Sequence, residues 1–479
     1  MSTAPGWWTA LGRERARPAR LRGWPHAGWL AVGTVCFGAF MGQLDASIVT
    51  LTYQPLRAQF HATLAEVQWV SLAYLLALTA LLIPVGRLAD AHGRKQTYLY
   101  GFVVFTTASA ACGLAPSLGV LVACRAVQAL GAAMLQANSV ALVTTSAPAG
   151  RLRGALGVQA AAQALGLALG PTVGGLLVET VGWRWVFWIN VPVGVLAVLA
   201  GIYLLPRTRE RSRAGGRDVP GALLLATAST SLLLGISGVS GLPLPTWASV
   251  GLLAVAALSA VGCVLRPRRA ATPLIDPALL RNRDVAAGLL GALVGYLVLF
   301  GPLVLVPITF ADAGGSQLRA GFVLTALPAG FALAATVGDR LLPGGWTERT
   351  RAIVGSSLSV LALVGLLAAP AATDWSIGPL ALLGLALGLF TPANNTLIMA
   401  AIPGPAVATG GGLVNMARSL GTALGVSVVA LALSVGAGWH GPLDGATLAV
   451  LVLTAASPVT VCSAWAQRGL SAERAVSAR

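Results

Sequence analysis

From end to end the chain alternates long apolar runs with short polar breaks. Runs of about 20 apolar residues are long enough to cross the ~30 Å hydrocarbon core of a bilayer as helices. Set against the breaks, they predict helices near 28–54, 67–88, 96–115, 118–142, 155–178, 185–205, 219–240 and 246–265. Six more follow near 285–309, 318–338, 352–370, 376–400, 408–434 and 446–466. The expected class is thus an all-α membrane protein of fourteen spans, an even number that puts both termini on one side.

Composition excludes the soluble alternatives. Of 479 residues 56% are hydrophobic and only 10% charged, against roughly a quarter charged in a soluble domain. The formal charge of +16 first hints at a polyanionic partner such as nucleic acid, but the placement of the basic residues explains it otherwise. All but five of the 31 basic residues fall in the two tails and in alternate loops. Arg57, Arg184 and Arg319 lie in the opposite loops, and Arg125 and Arg418 lie within helices. By the positive-inside rule the basic loops and both termini are cytoplasmic. The chain uses Arg almost to the exclusion of Lys, Lys95 being the sole lysine. That bias points to a GC-rich bacterial genome and hence to a bacterial inner (plasma) membrane.

The first 26 residues are polar and Arg-rich, and the run after them is too long for a signal-peptide core. The five cysteines sit in apolar runs without CxxC spacing, and the four histidines are scattered. Neither a disulfide framework nor a metal site is expected. The most charged loops flank the seventh and eighth helices. They divide the chain into an N-terminal arm (1–27), a six-helix bundle (28–205), a linker carrying two extra helices (206–284), a second six-helix bundle (285–466) and a tail (467–479). Two six-helix bundles imply a substrate cavity between them at mid-membrane.

Between the second and third helices stands Gly86-Arg87-Leu88-Ala89-Asp90-Ala91-His92-Gly93-Arg94-Lys95. It resembles the hallmark loop of the major facilitator superfamily, Gly-x-x-x-Asp-x-x-Gly-Arg-Lys. Physically it reads as a tight turn allowed by Gly86 and Gly93. Asp90 is placed to face a helix N-terminus, and Arg94 and Lys95 to meet carboxylates or lipid phosphates. In the fifth helix, Gly166, Gly170, Pro171, Gly174 and Gly175 resemble the motif of that superfamily's antiporters. Gly166, Gly170 and Gly174 share one face and permit close helix approach, and Pro171 bends the helix. Leu44-Asp45-Ala46-Ser47-Ile48-Val49 and Trp183-Arg184-Trp185-Val186-Phe187-Trp188-Ile189-Asn190-Val191-Pro192 extend the likeness to the fourteen-helix drug:proton antiporter branch. Ser47, Thr50 and Ala129 depart from that branch's usual Thr, Asn and Gly.

Of the 15 acidic residues only Asp45 lies deep within a predicted helix. A carboxylate inside a bilayer is costly and is a functional candidate by default. Loss of water favours its neutral form, which suits proton exchange. Arg125 begins a stripe on the fourth helix that continues through Gln128, Ala132, Gln136 and Ser139, at a depth similar to that of Asp45. In the resembled family the corresponding Arg is implicated in proton coupling. Further cavity candidates are Tyr74 in the second helix, Gln159 and Gln163 in the fifth, and Asn394, Asn395, Asn415 and Arg418 in the second half. With no phosphate-cradling Gly-rich loop bearing a Lys, no cofactor is expected and a proton gradient is the energy source. The expected partners are protons, a small-molecule substrate and the lipid bilayer. Together these readings imply an antiporter exporting a small lipophilic drug or antibiotic. Transport of one specific metabolite is the alternative, and a non-transporting membrane sensor a remote one. One buried acid leads to a neutral, zwitterionic or monocationic substrate.

Overall fold

The computed structural model describes residues 26–148, 151–207, 219–239, 244–266, 277–341, 346–369, 373–402, 407–438 and 444–467, with a few isolated positions outside these ranges. Most of the arm before Ala27, the tail after Gln467 and most of the two charged loops lie outside the described residues.

The N-terminal bundle comprises α1 (Ala27–Ile48), α2 (Trp69–His92), α3 (Arg94–Gly113), α4 (Leu118–Ser146), α5 (Leu152–Thr180) and α6 (Asn190–Leu204). α1 runs through a 3-10 turn, Val49–Thr52, into Tyr53–Phe60 and stops where His61 turns left-handed, φ 49°. A capping box follows, with the Thr63 hydroxyl accepting from Glu66 N–H and the Glu66 carboxylate accepting from Thr63 N–H. The inserted pair is α7 (Val219–Val239) and α8 (Thr246–Leu265). The second bundle is α9 (Arg283–Asp312), α10 (Gln317–Leu341), α11 (Glu348–Ala368), α12 (Ile377–Ala400), α13 (Val407–Gly438) and α14 (Gly445–Ala456, continued by Pro458–Ala466).

Of the fourteen expected spans, twelve meet the measure of length and apolarity for crossing a membrane among the described residues. α3 is outside that set, because it opens with Arg94, Lys95 and Gln96 and carries several Thr and Ser. α7, a helix of 21 residues, enters only through its described stretch Leu223–Val239.

The hallmark motif is also less of a loop than its glycines imply. α2 continues through Asp90 to His92, and the turn is reduced to Gly93, φ 121°, a backbone angle that favours glycine. Gly86 stays helical and needs no special geometry. The Asp90 side chain lies outside the described residues. Lys95 is buried and donates to the carbonyls of Ile202 (3.0 Å) and Leu205 (2.7 Å). It thereby satisfies acceptors that the C-terminus of α6 leaves open. Arg17 adds a bond to Leu204 O at 2.9 Å.

Within the first bundle, Gly166, Gly170 and Gly174 of α5 press against α1, facing Phe40 O, Ser47, and Ile48 with Leu51 in turn. Gly175 faces the other way. It meets Gln317 O and Leu318 of α10, and Gly321 of α10 meets Pro171 O. The motif therefore has two working faces, one fixing α5 within its bundle and one joining the bundles. The hydroxyls of Thr172 and Thr325 bond across the same seam, and the Glu179 carboxylate accepts from Leu318 N–H at 2.8 Å. A second contact between bundles is α2 against α13. α7 packs on both of those helices, and Gln68 Nε2 donates to Ser237 Oγ at 3.2 Å.

Candidate functional site

Asp45 is 0% exposed and Arg125 1%. Arg125 Nη1 donates to Asp45 Oδ2 at 2.6 Å. The guanidinium is held on two further sides, by Nε to Val70 O of α2 at 2.9 Å and by Nη1 to Gln128 Oε1 at 2.6 Å. Its Cζ lies 4.2 Å from the Tyr74 ring centroid and 5.8 Å from that of Phe187, so cation–π attraction adds to the ion pair.

The other carboxylate oxygen, Oδ1, accepts from Gln128 Nε2 at 3.1 Å and from Asn190 Nδ2 at 3.3 Å. Both amides also reach Ser109 Oγ, at 3.2 and 3.0 Å, which itself donates to Phe187 O at 2.9 Å. The network thus takes residues from α1, α2, α3, α4 and α6. A buried ion pair is tolerable only when its remaining donors and acceptors find partners, and this shell supplies them for both carboxylate oxygens and for Arg125 Nε and Nη1. Protonating Asp45 would weaken the hold on Arg125 and change contacts to four helices together.

Against this pair lies a cleft between the bundles. One cavity in it, about 440 Å³ including space open to solvent, is lined by Gln43, Tyr74 and Gln136 from one side and by Tyr296, Asn415 and Arg418 from the other, among others. A second cavity, about 270 Å³, reaches Arg125 itself past Tyr74 and Phe300. A third, about 260 Å³, carries Gln136, Ser139 and Gln163. The buried Tyr74 hydroxyl has no partner.

The sequence candidates therefore divide. Tyr74, Gln136, Gln163 and Asn415 line the cleft, while Gln128 serves the ion pair instead. Gln159 is buried away from these cavities. Asn394 bonds Gly288 O at 2.9 Å and Gln467 at 3.1 Å, bracing its own bundle. Asn395 is not among the lining residues. Ser109 and Asn190 were missed as site residues. Asn190 sat in view inside the Trp183–Pro192 motif, and its signal was an amide within an apolar helix. Among the described residues no group of three or more His, Cys, Asp or Glu is gathered to hold a metal ion.

Two helical bundles around a shared cleft, with a buried ion pair beside it, have the layout of a membrane carrier. Comparison with known proteins gives the family. The chain belongs to the Major Facilitator Superfamily, whose model matches residues 35–426, and it is accordingly a multi-pass membrane transporter and not an enzyme. It is 33% identical over 421 residues to the tetracenomycin C resistance and export protein of Streptomyces glaucescens, covering 85% of this chain and 76% of that one. It is 31% identical over 406 residues to a riboflavin transporter of Clostridioides difficile, covering 83% and 87%. In fold alone it resembles an auto-inhibited POT family peptide transporter seen by crystallography, with TM-score 0.62, 16% identity, and coverage of 92% of this chain and 96% of that one.

Proposed function

We propose that this transporter is a proton-coupled antiporter of the bacterial inner membrane, exporting a small lipophilic compound such as a drug or antibiotic by alternating access. The observation that carries the reading is the Asp45–Arg125 pair, sealed from water yet adjoining the cleft. A proton on Asp45 and a substrate in the cleft bias the same set of helices, and a ligand shifts an equilibrium only through such differential contact. Export is supported by the antiporter-like motif of α5 and by the resistance and export role in the name of the Streptomyces relative. Both termini are cytoplasmic, as the basic loops require.

We also infer that α3 and α7 cross the bilayer, giving fourteen spans in all. α3 has 20 residues and lies against α4, where Gly101 meets Gly131 O. α7 has 21 residues and lies against α8, where Gly235 meets Leu253. The test of function is a resistance panel in an efflux-deficient host. Expression should raise resistance to at least one lipophilic compound, and a protonophore should abolish its efflux. Efflux that persists after collapse of the gradient contradicts the proposal. The riboflavin transporter among the relatives favours one second reading, transport of a single metabolite on the same fold. Resistance to no compound in the panel, with uptake or release of one metabolite, would decide for it.

A further inference from the structure

Among the described residues that line these three cavities, Arg125 and Arg418 are the charged ones, with no Asp or Glu beside them. The two arginines are not equivalent. Arg125 is matched by Asp45 at 2.6 Å, so that pair adds little net charge. Arg418 of α13 has no carboxylate partner among the described residues. Its guanidinium sits 5.2 Å from the Tyr296 ring centroid, and its Nε is enclosed by protein without any hydrogen bond. Buried N–H groups are nearly always paired, and a guanidinium is built to grip a planar anion with two parallel bonds. Asn415 lies one helical turn earlier on α13 and lines the same cavity. Its side-chain amide supplies a further donor beside the guanidinium.

We infer that the transported compound carries an acidic group, ionised as a carboxylate or phenolate, and that Arg418 is the specificity-determining residue that binds it. The proposal rests on reading the cleft as the substrate site. It departs from the expectation, drawn from Asp45 alone, that a monocation would serve. A cation here would face Arg418 with no lining carboxylate to offset it, whereas an acidic aromatic compound could also stack on Tyr296 or Tyr74.

Two xanthene dyes of similar size and opposite charge make the test: fluorescein, an anion at pH 7.5, and rhodamine 123, a cation. Binding is read by fluorescence anisotropy on the purified full-length protein, so the answer on charge does not depend on proton coupling. Fluorescein should bind at least about tenfold more tightly than rhodamine 123. Arg418→Gln should remove that preference and leave rhodamine 123 binding equal or stronger. Arg418→Lys keeps the charge but loses the fork, and should restore fluorescein binding in part, which separates loss of recognition from loss of fold. Tighter binding of rhodamine 123, equal binding of both dyes, or binding of neither by folded wild-type protein overturns the inference. Failure of the exporter reading appears separately, as fluorescein that binds yet is not pumped under an imposed pH gradient.

Discussion

Asp45 meets Arg125 through one short bond, but the guanidinium also holds Val70 O and Gln128. A lysine at 125 can keep the charge pair but not this fork, since ammonium and guanidinium differ in reach and planarity. Arg125→Lys should therefore lower efflux at least about tenfold, because bonds to charged groups contribute roughly 1.5–3 kcal/mol each. Abundance in the membrane should stay normal on immunoblots. Wild-type efflux by the variant would mean that charge alone suffices. Much of this site is legible in the sequence, because one acid and one guanidinium inside apolar runs have few explanations. Ser109 and Asn190 were not read as site residues, since a lone Ser or Asn is common within membrane helices. Asn394 shows the converse failure. Its type suits a cavity, but which side of α12 it occupies depends on Gly288 and Gln467, residues far away in the chain.

Among the elements, α5 carries the clearest division of labour. Its Gly166, Gly170 and Gly174 face packs on α1, and its Pro171–Gly175 face closes on α10. Periodicity alone identifies the first face. The second depends on which helix of the other bundle comes near, and local pattern does not encode that. A side chain at Gly175 must displace the backbone of α10, and overpacking of this kind costs about 1–3 kcal/mol. Gly175→Leu should thus loosen the closed seam while leaving the first bundle intact. In a protein freed of its five native cysteines, Thr50→Cys on the cleft wall should react several-fold faster with a membrane-impermeant thiol reagent when Gly175→Leu is present. An unchanged rate would show that α5 and α10 do not form the closing contact there. The hallmark motif teaches a similar lesson. Its Lys95, expected to meet carboxylates or lipid phosphates, also caps α6, a role that spacing does not disclose.

At the scale of the whole molecule, two bundles face each other across a cleft, and the proposed function has them turn about it with both termini in the cytoplasm. Reporter fusions at either terminus should read cytoplasmic; an external signal from one of them would mean an odd number of spans and remove α3 or α7 from the membrane. The layout of six helices, two and six was legible because apolar length is a coarse signal. α3 falls short of that signal through its polar first turn, Arg94 to Gln96. The central claim is that binding in the cleft and protonation of Asp45 are linked through one rearrangement. Asp45→Asn is the right variant, because it retains hydrogen bonding around Arg125, whereas an apolar replacement would strand a buried charge at a cost of about 3–5 kcal/mol. The direct measurement is proton release from purified protein, in weak buffer, on adding a compound identified by the resistance panel. Wild type should release protons and Asp45→Asn should not, although the variant still binds the compound. Equal release from both would contradict the account and remove Asp45 from the coupling mechanism.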